Sequence, residues 1–191
     1  FRGPFQIRRR MKTPHFIQLH HASDQRLVEE AAQGLLRQPA SASPKFFYDA
    51  LGSRLFDAIT ELEAYYPTRT EALVFDTQGA AMAEAVRACL GRPPVLVELG
   101  AGNCSKASRL FALLQARAYV AVDISVEFLR QSLLNLQLRH PEMDLAGVGL
   151  DFSASLDLPA DLSVLDSGPR LLFYPGSSIG NFAPDEALRL L

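Results

Sequence analysis

Residues 98–106 read Glu98-Leu99-Gly100-Ala101-Gly102-Asn103-Cys104-Ser105-Lys106, directly after an apolar run at 95–99. Gly100 permits a tight turn, and Gly102 lets a ligand approach the backbone with no Cβ in the way. A helix opening after such a loop offers unpaired N–H groups to a negative or polar ligand. Ser105 stands where a dinucleotide-binding fingerprint has its third glycine, which argues against that ligand class. A short GxG preceded by Glu98 suits an adenosyl ligand; a plain Gly turn between strand and helix is the alternative.

Asp123 follows 23 residues after Gly100, at the end of the next apolar run. A carboxylate there can accept from both ribose hydroxyls of an adenosine. The alternative is that it only caps the next helix, for which Ser125 is the expected N-cap. Asp151, after the third strand, can accept from an adenine amine, with Phe152 against the ring. Asn181 lies in the Gly- and Ser-rich run Pro175-Gly176-Ser177-Ser178-Ile179-Gly180-Asn181 and can donate and accept at once. It could orient an amine and a carboxylate together, or simply form a turn. Tyr65-Tyr66-Pro67 reads as a fixed loop presenting phenol groups, although aromatic pairs are more often core.

The elements that position these residues follow from periodicity. Apolar strands are expected at 95–99, 119–123, 145–150 and 171–174. Helices are expected at 104–116 and 126–139, with another starting near Asp185. Alternating apolar strands and amphipathic helices predict a parallel sheet covered on both faces, with ligands at the carboxyl ends of the strands. Upstream, residues 14–24 are polar and mixed. A helix at 25–37 could be capped by Ser23-Asp24. Further helical patterns span 46–63 and about 69–90, with Pro67 breaking the chain between them and Gly91-Arg92-Pro93-Pro94 ending the second.

The chain has 191 residues, a net charge of -2 and 48% hydrophobic residues, an ordinary globular balance that implies no nucleic-acid partner. No apolar run is long enough for a membrane span. The basic stretch Arg8-Arg9-Arg10-Met11-Lys12 lacks a following apolar region and so is no signal peptide. Cys89 and Cys104 have no metal-ligand spacing, no metal is expected, and a reducing cytoplasm is the simple inference. The four histidines, His15, His20, His21 and His140, are expected to face solvent. Met11 is a plausible start, and residues 185–191 read as a helix with no stop signal, so the chain reads as a fragment.

Five segments in order carry a resemblance: FFYDALGSRLFDAITELEAYYPTRTEA at 46–72, LVELGAGNCSK at 96–106, VAVDIS at 120–125, GLDF at 149–152 and LLFYPGSSIGNF at 171–182. Together they resemble the histidine Nα-methyltransferases of ergothioneine biosynthesis, from about residue 44 onward. The resemblance implies an α/β fold: a Rossmann-like class I methyltransferase core, here an incomplete parallel sheet, preceded by an N-terminal helical segment. The expected organisation is an N-terminal arm and helix at 1–43, a helical part of a substrate domain at 44–92, and the truncated S-adenosylmethionine-binding domain at 93–191.

By position, the resemblance implies that Tyr48, Gly100, Lys106, Asp123, Asp151 and Phe152 hold S-adenosyl-L-methionine, and that Tyr65, Gly176 and Asn181 help hold L-histidine. It places an acidic residue for the imidazole and a serine for the carboxylate further along the chain. It implies N-methylation of the α-amine of histidine, towards the trimethylated product, by a cytoplasmic protein that is a monomer at full length. No side chain of this sequence is identified as a general base or other catalytic group. A methyltransferase for another small amine, and a non-catalytic S-adenosylmethionine-binding module, are the alternatives. The 191 residues alone are expected to be inactive and prone to aggregate through the free edge of the fourth strand.

Overall fold

The computed structural model describes residues 11–19, 24–153, 156–160 and 162–190. The stretch Arg8–Arg10, His20, His21, Ser23 and Leu191 lie outside the described residues. In chain order the elements are β1 (His15–Gln18), α1 (Asp24–Leu35), α2 (Ala50–Thr60), α3 (Tyr66–Leu90), β2 (Val95–Leu99), α4 (Ser105–Ser108), α5 (Phe111–Leu114), β3 (Ala118–Asp123), α6 (Val126–Arg139), β4 (Asp144–Gly149), β5 (Arg170–Phe173) and α7 (Pro184–Leu190). Short 3-10 turns occupy Pro44–Phe47, Ser163–Ser167 and Ser178–Asn181.

The sheet is parallel throughout, in the order β1-β4-β3-β2-β5. From β2 the chain advances through β3 to β4, then returns to lay β5 on the other side of β2. The loops after β2 and β5 therefore part in opposite directions, and the crevice they leave at the strands' carboxyl ends is where such sheets bind ligands. Register carries the loop into place: Leu99 is paired with Val122, and the next two N–H groups, of Gly100 and Ala101, both donate to the Val122 carbonyl at 2.9 and 3.1 Å.

Alternation along β2 sends Leu96 and Glu98 to one face and Val95, Val97 and Leu99 to the other. The first face packs on Phe75 and Ala83 of α3, Phe111 and Leu114 of α5, and Leu129, Leu133 and Leu136 of α6. Helices on both faces were expected. Among the described residues the second face is instead covered by segments 156–160 and 162–167, through Leu156, Leu158, Leu162 and Leu165.

Four further expectations are corrected. Residues 15–18 form an edge strand rather than polar coil, with Phe16 opposite Gly147 of β4. A Cβ on Gly147 would stand 2.6 Å from the Phe16 ring, so the room for this strand is made by a glycine about 130 residues away. The helix expected at 104–116 is two single turns. Leu110 donates to Ala107, three residues back, and breaks the α register, while Cys104 and Gln115 take left-handed conformations at the ends. The apolar stripe Ala107, Leu110, Phe111 and Leu114 is nonetheless buried as the periodicity required.

The pattern at 46–63 divides at Tyr48 and Asp49, because the Asp49 carboxylate accepts from the Gly52 N–H at 2.6 Å and starts α2 afresh. Pro67 does not break the chain but lies in the first turn of α3, where its missing N–H costs nothing. No helix among the described residues is long and apolar enough to cross a membrane.

Candidate active site

The loop after β2 is built on two glycines with left-handed backbones, Gly100 at φ 68° and Gly102 at φ 53°. A Cβ on Gly100 would lie 3.8 Å from both Phe152 Cζ and Ser178 Oγ and 4.0 Å from Tyr174, so the segments after β4 and β5 converge over it. A Cβ on Gly102 would meet nothing within 4 Å, which leaves its backbone open to the cleft.

Asp123 closes this loop from below. Its Oδ2 accepts from the Gly102 N–H and its Oδ1 from the Ser125 N–H, each at 2.9 Å. Burial raises the Asp123 carboxyl above its ordinary range, and the surrounding backbone donors oppose the shift. Each oxygen retains acceptor capacity after one backbone bond. The two bonds brace the glycine loop and the entry to α6, and the carboxylate still lines the cleft. Ser125 stands at the N-cap of α6 as expected, but its side chain makes no cap bond. Its hydroxyl is instead hydrogen-bonded to Ser53 Oγ at 2.9 Å, tying α2 to α6 in the interior beside the backbone of Tyr48.

Tyr48, Phe56 and Tyr65 form an edge-to-face series with ring centroids 6.2 and 6.0 Å apart, a wall raised by α2 and the start of α3. Both adjacent tyrosines line the cleft, Tyr66 largely exposed and Tyr65 half-buried. Phe152 meets Tyr174 edge-on at 5.6 Å. The Tyr174 hydroxyl is buried without a hydrogen-bond partner, and burial together with nearby Tyr48 pushes its pKa up to about 12. Asp151 accepts from Ser153 and lies 3.5 Å from Lys45 Nζ, which itself pairs with Glu30 at 2.6 Å. Burial would lower the Lys45 pKa, but these two carboxylates outweigh it and hold it raised.

All nine residues singled out from the sequence, Tyr48, Tyr65, Gly100, Lys106, Asp123, Asp151, Phe152, Gly176 and Asn181, line one cleft of about 1700 Å³. Gly176 does not stand apart with Asn181: it lies against Lys106. Phe56, Glu71 and Tyr174 also line the cleft and were not assigned from sequence. Phe56 sits in an apolar stripe indistinguishable from core. Glu71 carried a signal, as the carboxylate ending the motif around Tyr65.

Glu98 is not on the cleft. It is wholly buried under the glycine loop, accepts a hydrogen bond from the Tyr119 hydroxyl, and leaves Oε1 without a partner. Burial pushes its carboxyl up to about 8, against the Tyr119 hydrogen bond. The folded state thus keeps a proton that the unfolded chain releases near its ordinary pKa of 4.5, and stability falls as pH rises between these values. Glu98→Gln, which mimics the protonated acid, is expected to melt above the parent at pH 8 but not at pH 5. Calorimetric scans at both values check this; an equal shift at both would assign Glu98 no titration. His140 is not simply solvent-facing: it meets Phe111 edge-on at 5.1 Å, and burial lowers its pKa.

A parallel sheet with a glycine loop after β2, and a carboxylate at the tip of β3, defines a Rossmann-like protein of the methyltransferase type. Residues 27–191 match the family described as histidine-specific methyltransferase, SAM-dependent, and the chain belongs to that family. It is 35% identical over 170 residues to the histidine N-alpha-methyltransferase of Mycobacterium tuberculosis, covering 86% of this chain and 50% of that protein. To the histidine N-alpha-methyltransferase of Mycolicibacterium smegmatis it is 35% identical over 162 residues, 83% of this chain and 47% of the relative. The ergothioneine biosynthesis protein 1 of Neurospora crassa is 29% identical over 159 residues, 80% of this chain and 17% of the fungal protein. The chain spans about half the length of the two bacterial relatives.

Proposed function

We propose that the whole protein transfers methyl groups from S-adenosylmethionine to the α-amino group of L-histidine, towards trimethylhistidine in ergothioneine biosynthesis. The observation that carries this reading is the bond of Asp123 to the open backbone of Gly102, at the sheet's switch point. The donor set fits the ligand. Asp123 has acceptor capacity for a ribose diol, Asp151 for an adenine amine, and Phe152 offers an apolar surface for the ring. S-adenosylmethionine supplies, when bound, a methyl group activated by a sulfonium.

The protein's own share is placement. The wall of Tyr48, Phe56 and Tyr65 keeps water from one side of the cleft, and Asn181 and Tyr65 are the polar groups assigned to the amino acid. Holding amine and methyl donor in line can lower the barrier by roughly 7–11 kcal/mol, so proximity can supply much of the rate without an acid–base pair. The amine must arrive neutral, and the cleft assigns no side chain as its base.

Asn181→Ala is expected to lower kcat/KM for histidine by about tenfold or more, the loss of one or two hydrogen bonds to a charged group. Affinity for S-adenosylhomocysteine is expected to stay within about twofold, since Asn181 is exposed and makes no bond that shapes the glycine loop. Mass spectrometry of the methylated products reads the first quantity and calorimetry the second. Equal loss of both would remove Asn181 from the amino-acid side.

A further inference from the structure

The Tyr174 ring forms part of the cleft wall, edge-on to Phe152 at 5.6 Å and with its Cε2 4.0 Å from where a Cβ on Gly100 would stand. Its hydroxyl is buried without a hydrogen-bond partner. A phenylalanine would keep the packing of the ring. The oxygen adds only the desolvation of a polar group, which buried sites normally offset with a partner. An orphaned hydroxyl in the wall of a cleft is accounted for when the cleft's occupant supplies that partner.

The surroundings define the chemistry of the occupant. Both neighbours, Phe152 and Gly100, are on the adenosyl side. Asp123 and Asp151, the side chains available to the hydroxyls and the amine of an adenosine, are carboxylates and only accept. The adenine ring nitrogens are acceptors too, and call for a donor. Lys45 and Lys106 are already committed to carboxylates, Glu30 at 2.6 Å and Glu71 at 2.7 Å. Burial, with Tyr48 nearby, holds the Tyr174 phenol above its ordinary pKa, so its O–H remains a donor at neutral pH and above. The rings of Tyr174 and Phe152 stand 84° apart. A purine lying flat on Phe152 therefore meets Tyr174 at a right angle, and a hydroxyl at the purine's rim lies where the ring nitrogens hold their lone pairs.

We propose that Tyr174 is a further ligand-binding residue, whose hydroxyl donates to a ring nitrogen of the adenine. The inference rests on the adenosyl reading of the cleft given above. It makes the hydroxyl a group held for binding at some expense of stability, since its bond exists only in the loaded protein.

The test reads stability and affinity in one variant that keeps the ring, Tyr174→Phe. Without ligand the variant is expected to melt above the parent, because the orphaned hydroxyl is gone. Calorimetric titration is expected to show S-adenosylhomocysteine and 5′-methylthioadenosine both weakened about fivefold, the loss of one neutral hydrogen bond. Equal effects place the bond on the adenosine that the two ligands share. Deaza analogues of S-adenosylhomocysteine, each with one ring nitrogen replaced by C–H, identify the acceptor. The parent should bind one of them as weakly as Tyr174→Phe binds S-adenosylhomocysteine, and the variant should be blind to that replacement alone. Affinities within about twofold of the parent's would make the hydroxyl a packing imperfection. A Tm below the parent's would show it bonded within the folded protein. A loss confined to S-adenosylhomocysteine would put it on the amino-acid end, and deaza penalties unchanged in the variant would remove it from the purine. Each of these overturns the assignment and spares the adenosyl reading. A parent that binds neither ligand sinks both.

Discussion

Asp123→Ala weakens S-adenosylhomocysteine binding by more than about tenfold, because charge-assisted hydrogen bonds to the ribose, each worth roughly 1.5–3 kcal/mol, are lost. A second loss is local. The N–H groups of Gly102 and Ser125, both bonded to this carboxylate, are left without it, so the loop and the start of α6 loosen together. A ligand lacking the 2′-hydroxyl separates the two effects. The parent should discriminate against it, and Asp123→Ala should be nearly blind to the difference, which is the signature of a direct bond in a double-mutant cycle. If the variant keeps the parent's discrimination, Asp123 only braces the loop.

Gly176→Ala is expected to be nearly as damaging, through space rather than charge. At φ 81° an alanine is strained, and its Cβ would fall 2.6 Å from Lys106 Nζ, well inside contact distance. The ammonium must swing away from Glu71, since it is the movable end of a flexible side chain. About tenfold weaker S-adenosylhomocysteine binding is expected from the lost charge-assisted contact, with a drop in Tm from the backbone strain of roughly 1 kcal/mol or more. Adding Lys106→Met should cost the alanine variant little further affinity, though the same change in the parent costs much. Additive losses would show that Gly176 and Lys106 act separately.

Much of this site could be read before any coordinates, because its parts are local to strand ends. Gly100 and Gly102 fall within three residues of the apolar run ending at Leu99 and Asp123 ends the next strand, where strand period and turn chemistry speak together, and α6 begins and ends where its stripe does. What was hidden depends on partners far along the chain. Phe16 finds a strand position only because Gly147 leaves a hollow. Ser125 has the sequence and the place of a helix cap, yet Ser53, in a different helix, takes its hydroxyl, and Asp123 accepts from its N–H. Phe56 reads as core because an aromatic on an apolar stripe looks the same whether it faces a sheet or a cleft. Glu71 and Lys106 are 35 positions apart, and nothing in either neighbourhood announces that they meet.

The central claim is that one cleft holds an adenosyl sulfonium and an amino acid together. Its most direct test is a calorimetric titration of the protein with S-adenosylmethionine, then of the loaded protein with L-histidine, with NAD as the comparison nucleotide. The account predicts saturable binding of S-adenosylmethionine at one site per chain, no comparable binding of NAD, and loss of the signal in Asp123→Ala. In the whole protein it predicts a second, saturable binding event for histidine that Asn181→Ala weakens selectively. Absence of S-adenosylmethionine binding, or binding that persists undiminished in Asp123→Ala, would contradict it.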